Sequence, residues 1–174
     1  MRDDFLRMVQ QSVAITAVGP SALRRQGRGV LAASHDFLAS ISLAQLPKAS
    51  SGRFAAWLDR QTEKLLDAFP VDGRPWGSAR KAMNLFLRDA LYNRYMADRF
   101  QLDSVEPWLE MPLDSAVARG LKSQGLRGEL PQWPGLKHLT PAISERFQDF
   151  ALRYAREMGL ARVHLDIYLW PANR

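Results

Sequence analysis

Two stretches of the sequence carry a helical period from end to end, each with its own boundary signals, and they commit the chain to a helical architecture. In TPAISERFQDFALRYAREMG, Thr140 is placed to cap, Pro141 suits the first helical position, and Gly159 suits the exit. Ile143, Phe147, Phe150, Ala151, Tyr154 and Met158 recur there at helical spacing, the stripe of a core face. In GSARKAMNLFLRDALYNRYMADRF, Ala82, Met83, Phe86, Leu87, Ala90 and Ala97 share one side. Lys81, Asn84, Arg88, Tyr92, Tyr95 and Arg99 share the other, at successive steps of three or four. Read as an exposed basic face this second stripe needs no function, but it mixes cations, an amide and two phenols along the whole helix.

The same rules predict helices over about 3–17, 21–45, 53–69, 78–99, 114–124 and 141–158, with Ser21 as the N-cap after VGPS. The last segment, ARVHLDIYLWPANR, has two readings. Val163, Leu165, Ile167 and Leu169 alternate with His164, Asp166, Tyr168 and Trp170 as in a strand. As a helix, the segment sets Asp166 and Trp170 one turn apart on one face.

At 174 residues, 47% of them hydrophobic, the chain suffices for one domain with a real core, or one domain with a small second lobe. No apolar run is long enough to span a bilayer, so no membrane partner is expected. The charged start MRDDFLRMVQQ lacks the features of a secretory signal, and a cytoplasmic location is the expectation. Cysteine is absent, which removes disulfides, thiolate metal sites, iron–sulfur clusters and a cysteine nucleophile together. The formal net charge of +6 and a pI near 10.1 make a polyanion a natural partner, against the plain alternative of a basic protein without one.

His35, His138 and His164 stand at no metal-binding spacing, so neither a metal nor an organic cofactor is expected. GRG at Gly27–Gly29 lacks the strand–turn–helix context of a phosphate loop, and there is no Gly-x-Ser-x-Gly elbow. What remains is a lysine near the start of one helix and, 33 residues on, an aspartate at the start of another. A desolvated Lys81 can attack an electrophilic carbon, and Asp114 can stabilise positive charge beside it or shuttle a proton. Each residue also has an ordinary reading: Asp114 as an N-cap, Lys81 as a surface cation. Trp76, Trp108 and Trp133 lie in Pro-rich loops, where ordinary packing competes with a wedge into a duplex.

GSARKAMN resembles the end of the helix-hairpin-helix element of DNA glycosylases, with asparagine three residues after the lysine. PLDSAVARGL is similar to the segment of that superfamily bearing the catalytic aspartate, where Asp precedes a helix containing Val-x-Arg. The interval from lysine to aspartate is nearest to that of the archaeal-type 8-oxoguanine DNA glycosylases, which also place an aspartate and a tryptophan one turn apart near the C-terminus, as at Asp166 and Trp170. The resemblance covers roughly residues 74–124 and 160–171. It implies an all-α, compact DNA-glycosylase fold, with GRPWGSARK standing where the familiar Leu-Pro-Gly-Val-Gly hairpin would be. It implies that Lys81 attacks C1′ of a flipped nucleotide and forms a Schiff base, that Asp114 assists, and that 8-oxoguanine is the first substrate to consider. It further implies that Asp166 and Trp170 hold the extruded base, and that the turn Trp76-Gly77-Ser78-Ala79, with Arg80 and Arg88, meets DNA phosphates. The expected partner is duplex DNA with a flipped base, bound by a monomer. Two alternatives stay open: the same chemistry on a hypermodified base of viral DNA, as an antiphage defence, and a non-catalytic helical DNA-binding module in which Lys81 is one phosphate contact.

Overall fold

The computed structural model describes residues 3–71 and 74–169. Among them are eight α-helices and no strand, so the fold is all-α. The helices are α1 (Asp3–Ala17), α2 (Val30–Ser40), α3 (Ser51–Ala68), α4 (Trp76–Tyr92), α5 (Arg94–Phe100), α6 (Ser115–Gln124), α7 (Pro141–Glu157) and α8 (Leu165–Leu169). No helix of the described residues is long and apolar enough to cross a membrane.

Helix α4 is the axis of the molecule. Every residue from Gly77 to Leu87 is buried, because α1, α2, α3 and the short turn at Leu136–His138 all pack on it. Its apolar side, with Ala79, Ala82, Met83, Phe86, Leu87 and Ala90, belongs to a core shared with α1, α2, α3 and α5. A second core gathers Val117, Ala118 and Leu121 of α6, Phe147, Phe150 and Ala151 of α7, and Leu165 and Leu169 of α8. The caps are those the residues suggest: Ser50 accepts from the Arg53 amide, and Thr140 from the Ile143 amide. Gln10, buried on α1, donates to the carbonyls of Leu38 and Ile41 and so satisfies the end of α2.

Two expected helices come out differently, and the segment left with two readings takes one of them. The helix expected over 21–45 begins only at Val30, and Ser21 caps nothing. Residues 18–29 form a chain of turns with positive φ at Arg25 (66°), Gly27 (127°) and Gly29 (82°), backbone that cannot continue a right-handed helix. The helix expected over 78–99 breaks at Asn93, whose ψ of 107° is extended and whose side chain caps α5 by accepting from the Tyr95 and Met96 amides. Asparagine at that point offers the backbone a better partner than the helix does. The C-terminal segment resolves as a helix: a 3-10 turn at Arg162–His164 runs into α8, and Gly120 of α6 admits Leu169 closely.

The tryptophans of the loops pack internally. Trp108 lies against Phe54, while Trp133 meets Phe147 edge-on and donates to the Ser115 hydroxyl.

Candidate active site

Lysine at the sixth position of a buried helix must find acceptors, and Lys81 finds two. Its ammonium lies 3.2 Å from Asp114 Oδ2 and donates to the Ala22 carbonyl at 3.2 Å, with the side chain only 8% exposed. The first half of the mixed stripe, with Lys81 and Asn84, is therefore interior rather than solvated, whereas Tyr92, Tyr95 and Arg99 further along are exposed. Ser78 donates to Gln26, Arg80 to Glu110, Asp59 and Thr62, and Asn84 to Glu110. This is what burial of polar groups requires, and Asn84 Oδ1 is the exception, buried with no hydrogen-bond partner among the described residues.

Asp114 is fixed from the other side. Its Oδ1 accepts from the Ala116 and Val117 amides at 2.9 Å each, capping α6, which leaves Oδ2 for Lys81. The capping and the chemical reading of this residue thus coexist, one oxygen for each. The extended segment before it is clamped at three points. Arg162 donates to the carbonyls of Trp108 and Leu109, and Gln148 pairs with both the amide and the carbonyl of Met111. Between them Glu110 meets Arg80 in a two-pronged ion pair at 2.7 and 2.8 Å. Burial alone would push the Glu110 carboxyl up, but the Arg80 guanidinium outweighs it and holds that group below the usual carboxylate range.

Lys81 and Asp114 open onto a cleft of about 570 Å³, lined by α1 through Thr16 and Ala17, by Gly19, Ser21 and Ala22, by Leu85 and Arg88 of α4, and by Asp166 and Ile167 of α8. Elements of both cores contribute to its walls. Arg88 is shared between Asp89 and Asp166. Burial works against its charge, yet the two carboxylates raise its pKa overall and keep it cationic. Asp166 is pushed up by burial and by Asp89, beyond what Arg88 offsets, and its Oδ1 is buried with no hydrogen-bond partner among the described residues. The turn leading into α8 is tied to α4 by His164, which bonds Tyr92 at 2.7 Å and Glu106 at 2.8 Å. Burial, then the Asp166 charge, raises the Tyr92 phenol to about 12, so it stays protonated beside His164.

The expected site residues divide accordingly. Lys81, Asp114 and Asp166 are brought to one cleft. Trp170 lies outside the described residues. Arg88 is in the cleft wall, but as the partner of two carboxylates rather than a free cation for phosphate. Arg80 is a correction: 6% exposed and bonded to Glu110, Asp59 and Thr62, it is an internal tie, with Trp76 stacked on its guanidinium at 5.6 Å. The turn at Gly77 and Ser78 is a second one. Both residues are buried, the Ser78 and Ala79 amides bond the Pro75 carbonyl, and a Cβ at Gly77 would stand 2.4 Å from the Leu136 carbonyl oxygen. The start of α4 is thus covered by the 136–139 turn and presents no amide cradle to a phosphate there.

Glu110, Gln148 and Arg162, which fix the Asp114 segment, escaped the sequence reading. Glu110 alone left a trace, as one acid within the apolar run WLEMPL. Among the described residues no group of three or more potential metal ligands gathers. Comparison with known proteins found no matching family model, curated protein or solved structure.

Proposed function

We propose that the chain is a DNA glycosylase with associated abasic-site lyase activity, working through Lys81 and Asp114. One observation carries this reading: a lysine and an aspartate 33 residues apart in sequence meet at 3.2 Å in a cleft of about 570 Å³. That volume falls in the range of about 300–1,000 Å³ usual for small-molecule sites. The roles follow those implied by the resemblance of the two segments, and the all-α scaffold is compatible with it.

With the nucleotide extruded into the cleft, Lys81 Nζ bonds to C1′ as the bond from C1′ to the base breaks. The base leaves with its bonding electrons and takes a proton. Before or during attack the amine gives up a proton, and Asp114 Oδ2 is the carboxylate oxygen beside it. Because Oδ1 is held by two amides, the charge of Asp114 sits at a fixed place against the positive charge developing on the sugar. Ring opening gives an imine between Nζ and C1′. Removal of a C2′ proton then expels the 3′ phosphate, and water releases the lysine. Asp166, which lines the cleft, takes the role of accepting a hydrogen bond from the base. A bulky modified base, 8-oxoguanine first and a hypermodified base of viral DNA second, is the substrate class.

The non-catalytic reading, with Lys81 as a phosphate contact, is disfavoured by the pairing of its ammonium with Asp114 and Ala22. Base release should be measured on oligonucleotides carrying 8-oxoguanine, uracil or glucosylated hydroxymethylcytosine, in duplex and single-stranded form. Release of one of these bases is the expected result. DNA binding without release of any base, and without cleavage at an abasic site, would point to the binding module.

A further inference from the structure

The cations of α4 nearest the cleft are neutralised internally: Lys81 by Asp114, Arg88 by Asp89 and Asp166, Arg80 by Glu110 and Asp59. A protein that holds a polyanion at this cleft needs positive charge from elsewhere. The segment over residues 18–29 supplies it. Gly19, Ser21 and Ala22 line the cleft, and the next six residues, LRRQGR, carry Arg24, Arg25 and Arg28. All three are exposed, and among the described residues none is ion-paired.

The segment is irregular but well anchored. His35 bonds the Val18 carbonyl, Lys81 the Ala22 carbonyl, and Ser78 the Gln26 side chain, while Leu23 is buried in the core. Both Lys81 and Ser78 belong to the buried part of α4, so the arginine-bearing turn is registered directly against the proposed nucleophile. Arg25 takes a φ of 66°, a conformation that glycine or asparagine adopts more cheaply. A long cation kept there at a backbone cost is accounted for if its side chain has a ligand.

Resting on the glycosylase reading for its ligand, we infer that Arg24, Arg25 and Arg28 form the grip on the DNA backbone beside the extruded nucleotide. They take the part that the covered start of α4 cannot. Their exposed guanidinium groups would contact phosphate oxygens, positioning the strand without reading its sequence. The Lys81–Ala22 bond then links the gripped strand to the reacting amine.

The test is anisotropy binding of a duplex containing a tetrahydrofuran abasic analogue, across a salt titration. The wild type is compared with the triple variant Arg24→Gln/Arg25→Gln/Arg28→Gln and with the triple Lys variant at the same positions. The Gln variant is expected to keep the wild-type melting temperature, lose about tenfold or more in affinity at low salt, and show a salt slope reduced in magnitude by about 2–3. The Lys variant should recover most of that slope. At saturating enzyme, borohydride trapping on a true abasic site should reach the wild-type end point in both. A Gln variant with wild-type slope and affinity overturns the grip, and wild-type trapping alongside it leaves the glycosylase reading standing. A reduced slope in a protein that traps nothing keeps the grip and removes the lyase.

Discussion

Arg80 and Glu110 form a two-pronged ion pair that joins the helix of Lys81 to the segment of Asp114, Arg80 next to Lys81 in the chain and Glu110 a few residues before Asp114. Asn84 adds a third bond to the same carboxylate, at 3.0 Å. The spacing between the proposed nucleophile and its carboxylate therefore depends on a polar link buried behind them.

Breaking that link should be costly. Glu110→Gln leaves Arg80 with the exposed Asp59 and the Thr62 hydroxyl, and is expected to lower stability by about 3 kcal/mol at neutral pH, as removing one partner of a buried pair does. Its folded-state pKa lies below the ordinary 4.5, so its contribution is fully present above that value and is lost as pH falls through the folded value. Denaturant melts of both proteins should thus differ constantly from pH 8 down to about 5 and converge in stronger acid. A constant difference throughout the acid range would contradict the assignment.

Asp114 serves two purposes that two substitutions separate. Asn caps a helix about as well as Asp, so Asp114→Asn isolates the loss of the charge facing buried Lys81, about 1–3 kcal/mol, while Asp114→Ala adds the loss of the cap, about 1 kcal/mol more. Both remove the carboxylate facing Lys81, and single-turnover base release should fall by about 10²–10⁴-fold in each. Full activity in Asp114→Asn would reduce the residue to a cap.

Asp166 and Arg88 should respond unequally. The folded pKa of Asp166 is raised above 3.8, so its ionised form weighs against folding as pH rises through the folded value. Asp166→Asn is therefore expected to keep or slightly raise the melting temperature at pH 7 while impairing discrimination between bases. Arg88→Gln strands two carboxylates and should cost about 3 kcal/mol. Equal destabilisation by the two would mean that the pair is a simple stabilising bridge.

Gly77→Ala tests the covered start of α4. A methyl group there meets the Leu136 carbonyl at 2.4 Å and Leu139 Cβ at 2.8 Å, and a loss of about 1–3 kcal/mol is expected from the displacement, with DNA affinity of the folded protein unchanged. Lost affinity at undiminished stability would instead return this turn to the phosphate.

The long periodic helices were legible because their apolar stripes, caps and exits agree, as Thr140, Pro141 and Gly159 do at α7. The breaks at Arg25–Gly29 and Asn93 were not, since each turns on a local backbone preference inside a run that otherwise keeps its period. Lys81 and Asp114 could be singled out by residue type and position, but their meeting is a tertiary fact. Arg80 shows the converse. Nothing local distinguishes an arginine that will face Glu110, 30 residues away, from one that will face solvent.

The most direct measurement is borohydride trapping of the wild type and Lys81→Gln on an oligonucleotide with an abasic site. A covalent adduct with the wild type, absent in Lys81→Gln at DNA affinity within a few-fold, is the expected result. No adduct with the wild type, or one that persists in Lys81→Gln, would contradict a Schiff base at Lys81.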